Sequence, residues 1–105
     1  MTDTRSKLRL CSLDDVGWDG TLRVAAGALT LAVFNVGGTY YVTDDACTHG
    51  PGSLSEGQLD GFEIECDFHN GKFDIRTGAV VAPPCMIPIR TYKVVIEDNS
   101  VLIEV

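Results

Sequence analysis

The chain has 105 residues, 45% of them hydrophobic, with 15 Asp and Glu against 8 Lys and Arg for a formal net charge of −7. That length suits one domain with a modest core, which leaves little room for a catalytic pocket beside a separate cofactor-binding unit. The acidic balance argues against nucleic acid as a partner, because a phosphate backbone is held by clustered positive charge. No apolar run approaches the roughly 20 residues that cross a bilayer, and the opening Met1-Thr2-Asp3-Thr4-Arg5-Ser6-Lys7 lacks the apolar core of a secretory signal, so the expectation is a cytoplasmic protein with no membrane partner.

In chain order, short strands are expected at 7–11 and 21–25, separated by a single helical turn where Ser12 and Asp15 have the spacing of a capping box. Residues 29–43 form two β-rich runs about Gly37-Gly38, a pair suited to a tight hairpin. From Asp44 to Gly61 the chain turns to glycine, Pro51 and small polar residues, and reads as a long loop of a kind that is usually functional or disordered. Strands follow at 62–66 and 72–76, with Thr77-Gly78 as a turn. A last hairpin runs from Thr91 to Glu97, turns at Asp98-Asn99-Ser100 and returns over 101–105. The reading is all-β: a framework from about 1–43 and 80–105, with the segment of about 44–79 inserted and held largely by something other than hydrophobic burial.

Both histidines and two of the four cysteines fall in that insertion, as Cys47-Thr48-His49 and Cys66-Asp67-Phe68-His69, with 16 residues between His49 and Cys66. Four cysteines in a cytosolic chain suggest a metal site more than a disulfide framework. Two thiolates and two imidazoles can close a tetrahedral zinc site, but zinc fingers commonly pair Cys with Cys and His with His, whereas each knuckle here carries one of each. Cys11 and Cys85 have no ligand-spaced neighbour and read as small buried apolar residues. Trp18 and Phe34 read as packing. Between Val24 and Gly71 there is no Lys or Arg, while Asp44, Asp45, Glu56, Asp60, Glu63, Glu65 and Asp67 lie there. A solvated loop region accounts for most of these acids, and an acidic ring that docks on basic partner surfaces is the sharper alternative.

The pattern C-x-H, 16 residues, C-x-x-H resembles the Rieske iron–sulfur family, and the resemblance covers essentially the whole chain. Cys47-Thr48-His49-Gly50 corresponds to its first box and Cys66-Asp67-Phe68-His69-Asn70-Gly71 to its second. Gly78 through Pro83-Pro84 and Pro88 corresponds to the proline loop that covers the cluster. The resemblance implies a Rieske-type antiparallel β-sandwich with a cluster-binding subdomain, in which Cys47 and Cys66 hold one iron of a [2Fe-2S] cluster and His49 and His69 the other.

Departures from the respiratory and photosynthetic branch are informative. That branch braces its loops with an extra disulfide where this chain has Gly52 and Phe68, and it places hydroxyl donors to the cluster where this chain has Gly71 and Phe73. Fewer donors at an electron-rich site favour its oxidised state and imply a potential near the low end of the family. The pattern resembles that of ferredoxins serving bacterial aromatic-ring dioxygenases. It implies a non-enzymatic one-electron carrier that takes electrons from an NAD(P)H-dependent flavin reductase and delivers them to a terminal oxygenase. The small subunit of a larger reductase, such as a nitrite reductase, and a zinc-stabilised interaction module remain the alternatives.

Overall fold

The computed structural model describes residues 7–47, 52–66, 71–83 and 87–104. Among them are eleven strands: β1 (Lys7–Ser12), β2 (Gly20–Ala26), β3 (Leu29–Val36), β4 (Thr39–Asp44), β5 (Gln58–Asp60), β6 (Glu63–Glu65), β7 (Lys72–Asp74), β8 (Val80–Ala82), β9 (Thr91–Tyr92), β10 (Val94–Glu97) and β11 (Ser100–Glu104). They form three antiparallel sheets, ordered β1-β11-β10, β2-β3-β4-β9 and β5-β6-β7-β8. Two 3-10 turns, Leu13–Asp15 and Leu54–Glu56, are the helical elements among the described residues. No helix there is long and apolar enough to cross a membrane.

Local chemistry explains the turns. The β3–β4 hairpin pairs Val36 with Thr39 across Gly37 and Gly38, whose φ values of 60° and 91° belong to a two-residue turn that matches strand twist. The Asn35 side chain closes this turn, accepting from the Gly38 N–H at 2.9 Å and donating to the Val16 carbonyl at 3.2 Å. The last hairpin turns on Asp98 and Asn99 at φ 50° and 60°, and Ser100 already belongs to β11. The expected helical turn is present, with the Ser12 N–H donating to the Asp15 carboxylate at 2.9 Å. The continuous strand expected at 91–97 divides at Lys93. Residues before it pair with β4 and those after it with β11, so the chain changes sheets at that corner.

Two cores lie back to back. Leu10, Cys11, Val16, Leu31, Val33, Val42, Val101 and Ile103 fill the framework between the first two sheets. Ala32, Phe34, Cys47, Leu54, Ile64, Cys66, Phe73, Ile75 and Ile89 fill the other. The expectation that the inserted segment lacks a hydrophobic core is therefore corrected: its few apolar residues suffice because β3 contributes Ala32 and Phe34 to them. Strand β5 lies inside the stretch expected to be loop, and β8 pairs with β7 although the framework was expected to resume at 80. Phe34 is fully buried as expected, but Trp18 is 71% exposed, its ring lying against Gly38 at the hairpin tip.

Urea unfolding separates these two aromatics. Phe34→Ala should cost about 3–5 kcal/mol, the usual price of a cavity at a fully buried Phe, whereas Trp18→Ala should stay within about 0.5 kcal/mol. Equal losses would contradict the placement of Phe34 in the core that holds Cys47 and Cys66.

Candidate metal centre

Cys47 follows β4 after Asp45 and Ala46, and Cys66 follows β6 directly. Both are buried, at 7% and 1% exposure, in the same core. Their Cα atoms are 6.8 Å apart and their Sγ atoms meet at one point. The two cysteines also start matching loops. The Cys47 N–H donates to the Gly52 carbonyl at 3.0 Å, and the Cys66 N–H donates to the Gly71 carbonyl at 2.7 Å, so each loop closes from its first residue to its sixth. His49 and His69 belong to these two loops in sequence and lie outside the described residues, as do Thr48, Gly50, Pro51, Asp67, Phe68 and Asn70.

This arrangement fits a metal centre at its sulfur side. Thiolates are the ligands, and Cys47 and Cys66 bring two sulfurs to one point, each belonging to the residue whose N–H closes its loop. Cys11 is different. It is buried in the framework core, where burial pushes its thiol pKa up, and it is not among the residues around Cys47 and Cys66. Cys85 and Pro84 of the proline loop lie outside the described residues. Where that loop leaves the core, Gly78 has φ 80°, and a side chain on it would collide with the Ile89 carbonyl, which accepts no N–H from it but belongs to the residue whose N–H donates to the Gly78 carbonyl at 2.9 Å. Glycine is thus required for the two ends of the loop to meet.

The acids do not behave as one solvated group. Glu56 and Asp60 are exposed, and Glu63 and Glu65 are half-buried; with Gln58, Leu59 and Lys72, the last three acids line a shallow depression over β5, β6 and β7. Asp67 lies outside the described residues. Asp44 accepts a 2.5 Å bond from the Tyr92 hydroxyl, and Asp45, at 3% exposure, accepts from Ser53 and Ser55. The sequence reading missed both internal roles. Acid spacing alone carries no mark that separates a buried acceptor from a surface charge, and the serines that would signal it stand eight and ten residues farther on.

Residues 6–93 match the Rieske [2Fe-2S] domain. The chain belongs to the Rieske family. It is similar to the ferredoxin component of the p-cumate 2,3-dioxygenase system of Pseudomonas putida, at 44% identity over 98% of this chain and 89% of that protein. Among solved structures it is similar to a ferredoxin of Sphingomonas yanoikuyae B1, with TM-score 0.90 and 50% identity over 94% of this chain and 98% of that one. It is also similar to a chain in a complex of reduced oxygenase and oxidized ferredoxin in carbazole 1,9a-dioxygenase, with TM-score 0.87 and 42% identity over 92% and 91% of the two chains. Membership brings a Rieske-type [2Fe-2S] cluster as the resident group, and the convergent cysteines are compatible with it.

The Asp44 contact gives a measurable titration. Burial first, then the hydrogen bond to Asp44, pushes the Tyr92 pKa up to about 12. A raised folded value means that this group's contribution to stability is present below the ordinary tyrosine pKa of about 10 and is lost as pH rises through the folded value. Ultraviolet titration should therefore show the Tyr92 phenolate, identified by its loss in Tyr92→Phe, forming only near pH 12. Asp44→Asn should bring that step to lower pH; a Tyr92 step unmoved by the change would contradict the assigned bond.

Proposed function

We propose that this Rieske protein is a one-electron carrier of a multicomponent aromatic-ring dioxygenase system, taking electrons from a flavin-dependent, NAD(P)H-oxidising reductase and passing them to the terminal oxygenase. The observation that carries the reading is the pair of equivalent loops opened by Cys47 and Cys66, set in a chain similar along almost its whole length to dioxygenase ferredoxin components. Such a role needs no substrate pocket and no catalytic residue in this chain. Thiolate ligation suits a reducing compartment, which supports a cytoplasmic location.

In this reading Cys47 and Cys66 hold one iron as thiolates, and His49 and His69 hold the other through neutral imidazoles. The cluster supplies a one-electron couple. Two thiolates cancel the double positive charge of two ferric ions and two sulfides, whereas four would leave a dianion, and an electron is added to the neutral set at lower Coulomb cost. Leu54, Ile64 and Phe73 pack in the same core as both cysteines, and their side chains carry no hydrogen-bond donor.

The purified protein should be red-brown, with about two irons and two sulfides per chain. His49→Ala and His69→Ala should each abolish the cluster and loosen the insertion, since binding there is coupled to folding. Stoichiometric zinc in a colourless, folded sample would refute the carrier.

Voltammetry should give a potential near −150 mV, about the low end for Rieske centres. Gly71→Ser and Phe73→Tyr should move it upward by adding hydroxyl donors. The second change carries a stability cost, because Phe73 is fully buried. A clearly positive wild-type potential would contradict the argument from missing donors.

A further inference from the structure

Asp45 is a carboxylate at 3% exposure two residues before the first cysteine. Its Oδ2 accepts from the Ser53 hydroxyl at 2.5 Å, its Oδ1 accepts from the Ser55 N–H at 2.8 Å, and the Arg23 guanidinium approaches Oδ2 at 3.5 Å. Its backbone is also engaged, the N–H donating to the Thr30 carbonyl at 3.0 Å and the carbonyl accepting from the Leu54 N–H at 2.7 Å. Burying a carboxylate is costly, and an apolar residue would fill the space at less expense. The bonds it makes therefore indicate what it contributes.

The bonds from Ser53, the Ser55 N–H and the Leu54 N–H join one stem of the Cys47 loop to the other, while Thr30 and Arg23 tie that stem to β3 and β2. The loop that Cys66 opens sits between β6 and β7, whose ladder pairs Glu65 with Lys72 and fixes both ends. The Cys47 loop has no such ladder. Its stems are the end of β4 and the 3-10 turn Leu54–Glu56, joined as strands only by the isolated bridge between Ala46 and Ser53. The Thr21 hydroxyl holds the turn from its far side, donating to the Ser55 carbonyl at 2.7 Å. We propose that Asp45 is a positioning residue of the metal centre, its carboxylate locking the two stems of the Cys47 loop together as the β6–β7 ladder locks those of the Cys66 loop. The inference rests on the ligand set assigned above.

The test uses cluster-loaded wild type, Asp45→Ala, Asp45→Asn, Ser53→Ala and, as a control in the framework core, Val101→Ala. Iron release to a chelator is followed by visible absorbance under conditions where circular dichroism shows every variant folded. The EPR spectrum of each reduced protein is recorded alongside. Asp45→Ala should release iron at least about tenfold faster, the usual scale for removing a partner that orients a ligand, with a broadened EPR line shape. Asp45→Asn, which keeps a carbonyl oxygen for the Ser55 N–H, and Ser53→Ala should fall between it and wild type. Val101→Ala should lower stability to urea while leaving iron release and EPR unchanged. Where Asp45→Ala does not fold, Asp45→Asn and Ser53→Ala decide. Wild-type release rates and line shapes in the Asp45 and Ser53 variants would overturn the brace alone, as would a Val101→Ala protein that loses iron as fast as they do. A wild-type protein that binds no [2Fe-2S] cluster would overturn the ligand set and the brace with it.

Discussion

Five consecutive residues of β3, Leu31 to Asn35, are buried, and the rest of the molecule is arranged around that strand. A strand shows alternate side chains to opposite faces, so continuous burial requires cover on both sides. Leu31 and Val33 enter the framework core, while Ala32 and Phe34 enter the core that holds the cysteines. Next to it β4 repeats the division, with Val42 in the framework core and Tyr41 packed against the other. One hairpin is thus the common wall of both halves. A register slip of one residue would exchange the two sets and spoil both cores at once.

That shared wall explains which features were legible in the sequence. The hairpins at Gly37-Gly38 and Asp98-Asn99 announce themselves because positive φ restricts the residues that can turn there. The all-β class and the Cys47 and Cys66 boxes follow from equally local patterns. Strands β5 and β8, of three residues each, do not, since their pairing is dictated by neighbours in the β5-β6-β7-β8 sheet rather than by alternation of their own. The second core escaped for a related reason. Counting apolar residues within 44–79 overlooks Ala32, Phe34 and Ile89, which complete it from outside that interval. Trp18 shows the reverse error, where size alone suggested packing and the ring instead lies exposed on a glycine turn.

The two halves are tied at the far end from the cysteines as well. Phe62, at the β5–β6 turn, meets Tyr41 of β4 edge to face with ring centroids 5.9 Å apart, and the Arg76 guanidinium lies 4.2 Å from the Phe62 ring centre. Arg76 is oriented by Asp74, which accepts from its Nε and Nη2 at 3.1 and 2.9 Å. Those hydrogen bonds from Arg76 hold the Asp74 pKa below the usual carboxylate range. The inserted sheet is therefore anchored to β4 by an aromatic contact at one end and by the chain running from Asp44 into Cys47 at the other.

Between those anchors, the surroundings of Cys47 and Cys66 would set how readily an added electron is tolerated in the proposed carrier. Both side chains are buried in the core that also holds Leu54, Ile64 and Phe73, so charge accumulating there would be poorly solvated. A net-neutral oxidised ligand set suits such a place, and the one-electron-reduced state, which carries the extra negative charge, suits it less. The loop-closing N–H groups of the cysteines are already engaged by the Gly52 and Gly71 carbonyls, so these two amides are not free to stabilise the charge. Apolar lining and occupied amides thus act in the same direction as the absent hydroxyls at Gly71 and Phe73: each favours the oxidised form.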